Sequence, residues 1–137
     1  MWWIYALLSA FFAALTAVFA KVGIKGVDSD LATAIRTVVI LVIAWTIAFV
    51  KGSAVTITIL SRQNFLFLGL SGIATGLSWI FYFRALQIGK VSQVAPVDKL
   101  SVALAIIISV LFLGEALTWK SAIGAALIVA GTLILIL

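Results

Sequence analysis

The sequence predicts an all-α membrane protein, a bundle of five transmembrane helices. Three observations carry this. Five apolar segments, 2–20, 31–50, 65–83, 91–113 and 119–137, each approach the ~20 residues that cross ~30 Å of hydrocarbon at ~1.5 Å per residue. Charged residues gather in the short connections between them. Finally, the chain of 137 residues is 66% hydrophobic and 9% charged, with a mean hydropathy of +1.38, which removes it from the range of soluble domains. Because backbone polar groups cannot go unpaired in lipid, apolar spans of this length must be helices.

The first segment lacks a basic residue before it and has Lys21 after it. That is the reverse of a signal peptide's charge pattern, so it reads as a retained membrane helix. Trp2, Trp3 and Trp119 fall at helix ends, where indole rings favour the headgroup layer. Ser29 or Asp30 can cap the second helix, Ser61 the third, Ser92 the fourth and Thr118 the fifth. In the connection from Lys51 to Asn64, the run VTITI alternates like a strand, but a lone strand is not stable, and it reads as part of a loop near the interface.

Net charge is +5, yet the basic residues lie mostly between apolar runs, as they do in loops facing lipid headgroups, so this is not a nucleic-acid footprint. The absence of cysteine and histidine excludes disulfides, thiol chemistry and imidazole proton relays. No nucleophile with a base, metal cluster or phosphate loop is present, so the expectation is a protein that is not an enzyme and needs no cofactor or metal. Five spans place the termini on opposite sides. Lys51, Arg62 and Lys120 then face Lys21, Lys25, Arg84 and Lys90, a nearly balanced distribution. Adding Arg36 and Lys99 to the second group makes the C-terminal side cytoplasmic, so orientation stays open between one fixed and two opposite insertions.

Helical spacing aligns polar residues on three segments. Ser71, Thr75, Ser78 and Tyr82 share one face of the third helix, with Gly69, Gly72 and Gly76 on another. Asp98, Ser101, Ala105 and Ser109 align on the fourth, and Tyr5, Ser9, Ala13, Thr16 and Ala20 on the first. Small hydroxyl residues also serve close helix packing, at ~0.6 kcal/mol per hydrogen-bonded pair, so the rows leave a lined cavity and plain packing both open. Arg36, flanked by Thr33 and Thr37, and the pair Asp98 and Lys99 are costlier, since a charge at mid-bilayer costs about 2.5–3.5 kcal/mol on insertion scales. Two readings compete. If a helix restarts at Pro96, Asp98 meets the helix dipole in a first turn while Lys99 and Arg36 snorkel to headgroups. Alternatively Pro96 breaks the helix beside a binding region, where the two cations face an anionic or zwitterionic ligand and Asp98 holds one of them.

The runs GLSWIFYFRALQIGKVSQVAPVDKLS and LFLGEALTWKSAIGAALIVAGTLIL resemble the EamA domain of the drug/metabolite transporter superfamily. The resemblance lies in an aromatic-rich third helix, VAP at the next helix, LGE at its end, and GxxLIxxG in the fifth. It covers essentially the whole chain, 1–137, as a single EamA-like transmembrane domain. Typical members join two five-helix repeats of opposite orientation, so this chain looks like one half of the inverted-repeat fold. The resemblance implies an antiparallel homodimer, which rebuilds a site at the repeat interface. It also implies a prokaryotic inner membrane and an exporter or exchanger of a small metabolite working by alternating access.

On the same basis Lys99, Arg36 and Asp98 are expected to bind substrate, Trp79, Tyr82 and Ser78 to line the cavity, and Pro96 to act as the hinge. Gly124 and Gly131 match a small-residue dimer surface in the related small multidrug resistance proteins, with packing within one chain as the alternative. Glu115 of LGE is expected to serve as a loop contact or cap. One departure is sharp: those relatives depend on a glutamate in the first helix, and residues 2–20 contain no acid, which argues against drug/proton exchange by that route. Rival readings are a channel, with currents far above carrier rates, and a scaffold or accessory subunit that moves nothing. Antiparallel pairing predicts that a tag on either terminus is accessible from both sides of the membrane; one fixed orientation in every molecule would exclude it.

Overall fold

Helices make up nearly all of the chain. A computed structural model describes residues 1–137, with α1 at Trp2–Gly23, α2 at Ser29–Val50, a 3-10 helix at Ser53–Ile59, and α3 at Arg62–Ile88. It continues with α4 at Val91–Asp98, α5 at Leu100–Phe112 and α6 at Trp119–Ile136. Five spans are long and apolar enough to cross a membrane, α4 and α5 together forming the fourth. With 27 residues α3 reaches about 40 Å, beyond the hydrocarbon thickness, and the excess falls at its polar ends, Arg62–Asn64 and Arg84–Gln87. In no span is more than 11% of the apolar window buried. Exposed leucine, isoleucine and phenylalanine on this scale are a liability in water but neutral against lipid tails.

Helix ends follow capping chemistry rather than hydropathy. The cap of α2 is Asp28, not Ser29 or Asp30: its Oδ1 accepts the amides of Asp30 and Leu31 at 3.0 and 3.1 Å. Ser61 accepts the Asn64 amide at 3.1 Å and starts α3 three residues ahead of the apolar run. Ser92 does not cap the fourth span; the helix already begins at Val91, with Lys90 as a cap that makes no side-chain bond. Thr118 does cap α6, accepting the Ser121 amide at 3.1 Å.

The VTITI run is not a loop. It forms the 3-10 helix, entered through Gly52 at φ 70°, and the hydroxyls of Thr56 and Thr58 return to the carbonyls of Ser53 and Val55 at 2.6 and 3.2 Å. Without a strand partner, the threonines close tight turns on themselves.

The chain divides into two compact units, Phe19–Gln87 and Met1–Val18 with Ile88–Leu137. In the first, Phe83 and Leu86 are fully buried, and Ala20, Ile24 and Thr33 are also buried. The Lys21 ammonium donates to the Leu86 carbonyl in the last turn of α3, and Gln87 Nε2 donates at 2.7 Å to the Val27 carbonyl in the connection between α1 and α2. In the second, α4 and α5 both pack against α6, with Ala103 and Thr132 buried. Gly114, at φ 68°, turns the chain after α5, and the Ser109 carbonyl receives the amides of Leu113 and Glu115 at 3.0 and 3.3 Å. Replacing Asp28 by alanine is expected to destabilise α2 by about 1 kcal/mol, with serine retaining most of it. SDS-driven unfolding of the purified protein measures both.

Candidate functional site

Arg36 lies two turns into α2, about 10 Å from its start, at a depth where a cation needs company. Its company is aromatic. Trp79 and Phe83, four residues apart and therefore on one face of α3, place their ring centroids 5.0 and 4.6 Å from the guanidinium carbon. Cation–π contacts of this kind are worth about 0.5–2 kcal/mol, more where water is excluded. A guanidinium over aromatic rings keeps its N–H donors, the groups suited to an oxyanion.

A second arginine in the same unit behaves differently. Arg84 Nε and Nη2 donate to the two oxygens of Asp30 at 3.2 and 2.7 Å, a bidentate pair joining α3 to the start of α2. That charge is matched by a carboxylate; the charge of Arg36 meets quadrupoles, which attract it and neutralise none of it.

Of the other expected cavity residues, Tyr82 is half-buried, with its ring edge-on to Phe83 at 6.3 Å, and Ser78 is exposed. Phe83 escaped the sequence reading, although its spacing of four from Trp79 was visible. Thr75 and Ser109 of the hydroxyl rows, and the threonines flanking Arg36, bond to their own helices. Thr33 donates to the Ser29 carbonyl, Thr37 to Thr33 and Thr75 to Ser71, each at 2.8 Å, and Ser109 donates to Ile106 at 3.0 Å. Their protons serve their own helices, so these side chains offer a ligand mainly acceptor lone pairs.

In the other unit, Pro96 does not begin a helix. It is the sixth residue of α4, and the break comes three residues later at Lys99, between Asp98, the last residue of α4, and Leu100, the first of α5. Asp98 therefore lies outside the first turn expected for it. Its carboxylate instead meets the Lys99 ammonium at 3.3 Å, with Lys99 57% and Asp98 34% exposed. Thr132 of α6 also reaches this region, its hydroxyl lying 3.2 Å from the Pro96 carbonyl.

A cleft of about 360 Å³ in the first unit is lined by Lys21, Ile24, Lys25, Gly26 and Gln87. Two of its polar side chains, Lys21 and Gln87, already donate to backbone carbonyls, so it marks a joint between segments.

The model of the EamA-like transporter family matches residues 1–137. A protein of Sinorhizobium sp, named an uncharacterized transporter in cobO 3′ region, is 52% identical over 134 residues, covering 98% of this chain and 95% of that one. No solved structure matches the chain. For the aromatic stack, a double-mutant cycle on Arg36→Met and Trp79→Leu is expected to give a coupling of about 0.5–2 kcal/mol in SDS unfolding. Strictly additive effects would remove the contact.

Proposed function

Because the chain belongs to the EamA-like transporter family along its whole length, we propose that this membrane transporter carries a small anionic or zwitterionic metabolite, with Arg36, Lys99 and Asp98 as its polar binding groups. The observation that carries the proposal is the state of Arg36: a cation at membrane depth, lying over the rings of Trp79 and Phe83 and not ion-paired with a carboxylate, while neighbouring Arg84 is matched by Asp30. A carboxylate-bearing substrate supplies the missing counter-charge. Asp98 keeps Lys99 oriented and partly balanced until an anion arrives, and Trp79, Tyr82 and Ser78 line the path.

Alternating access is assigned to an antiparallel homodimer in a prokaryotic inner membrane, with export or exchange as its direction. The break that follows Pro96 supports a hinge in the fourth span. Open space where side chains would stand at Gly124 and Gly131 supports close approach of a second α6.

The test is uptake into vesicles reconstituted with the full chain, offered labelled amino acids, small carboxylic acids and organic cations as separate probes. Saturable uptake of an acid or amino acid is expected, abolished by Lys99→Ala and by Arg36→Ala while both variants still insert. Unchanged uptake in the two variants would overturn the site. Ion currents far above carrier rates would point to a channel, and absence of uptake for every probe to a scaffold.

A further inference from the structure

We propose that Thr132 is the positioning residue of the broken fourth span, its hydroxyl holding the turn that sets Asp98 and Lys99 and releasing it when the hinge moves. The role given to Asp98 and Lys99 rests on the functional reading above; the latch itself rests on backbone geometry.

In an unbroken helix the amide of residue 100 would bond the carbonyl of residue 96, and the amide of residue 96 the carbonyl of residue 92. Proline has no N–H, so the second of these bonds is lost. Around Lys99 the ladder tightens instead: its amide reaches the carbonyls of Ala95 and Pro96 at 3.3 and 3.0 Å, and Val102 reaches back to Lys99 at 3.0 Å. The bonds from Lys99 to Pro96 and from Val102 to Lys99 span three residues and wind the chain more tightly than the α-helical ladder.

The Pro96 carbonyl is met there by α6. Thr132 Oγ1 lies 3.2 Å from it and 2.8 Å from the carbonyl of Ile128, one turn back on its own helix. Thr33, Thr37, Thr46 and Thr75 give their protons to the carbonyl four residues back. Thr132 departs from that pattern by also reaching another segment. It is 3% exposed, so water does not compete for its proton.

A hydroxyl carries one proton, and two acceptors within reach give it two settings. Donated to Pro96, it pins the turn to α6, against which both α4 and α5 pack. Donated to Ile128, it releases the Pro96 carbonyl from α6, with the Lys99 amide still bonded to it, and the two half-helices can change their angle at Lys99. The exchange conserves the hydroxyl's hydrogen bond, so it suits a membrane interior where an unpaired group is heavily penalised.

Hydrogen–deuterium exchange of the full chain in lipid nanodiscs, read without substrate, tests this. Thr132→Val, which keeps the shape and removes the hydroxyl, is expected to speed exchange of amides 99–102 about threefold, the factor an average membrane hydrogen bond is worth. Ser29–Val50 should stay unchanged, Thr132→Ser should keep the wild-type rate, and Thr132→Ala should act like valine. Wild-type exchange in both Thr132→Val and Thr132→Ala overturns the latch, and so does a rise spread equally over Ser29–Val50, which would mark general loosening. Because no substrate enters the measurement, its failure leaves the transport reading intact, and unchanged uptake in Lys99→Ala leaves the exchange result intact.

Discussion

Backbone hydrogen bonding in a medium without water is the constraint on which this structure depends. Every spanning segment is a helix because a helix satisfies its own amides and carbonyls, and at several places where that pattern stops a side chain takes over. Asp28 and Thr118 accept the first amides of α2 and α6, while Lys21 and Gln87 donate to carbonyls at Leu86 and Val27. The same rule operates in mid-span: the ladder falters after Pro96, and a threonine from α6 reaches the carbonyl that the turn presents. What resembles loosely packed apolar helices is therefore fixed at a small number of polar points.

Apolar packing contributes little by comparison. The most deeply buried large side chains are Phe83 and Leu86, while long rows of leucine, isoleucine and valine on α2, α3 and α5 remain uncovered. Lipid tails meet such surfaces as well as protein does, so specificity between helices must come from small residues, hydrogen bonds and charge. The Arg84–Asp30 fork and the Arg36 stack both lie between α2 and α3, and together they fix which faces of those helices meet.

Much of this was legible in the sequence because hydropathy and length alone specify a membrane span. The five helices, the Ser61 and Thr118 caps and the unusual character of residues 96–99 follow from local composition. Less legible were features set by a partner distant in sequence. Asp30 reads equally well as a helix cap until Arg84, 54 residues away, is brought to it. Thr132 stands in an aliphatic run and gives no sign of its reach to Pro96, 36 residues earlier. Asp28 lost the cap assignment to Ser29 and Asp30 because a difference of one residue in a helix start is invisible to hydropathy. In VTITI the alternation was real, but alternation predicts a strand only where another strand is available, and here the threonines fold back on their own carbonyls.

The pattern of charge matching has an electrical consequence. Arg84 with Asp30 and Lys99 with Asp98 are each neutral as pairs, whereas the positive charge of Arg36 is held over aromatic rings. Moving one elementary charge through a membrane potential changes its energy by about 2.3 kcal/mol per 100 mV. With nothing bound, an Arg36 that shifted along that field would feel the voltage, whereas an Arg36 paired with a monoanion would move through it as a neutral unit. Stacking an arginine on aromatics rather than on a carboxylate would thus make the voltage sensitivity of the movement depend on whether cargo is aboard.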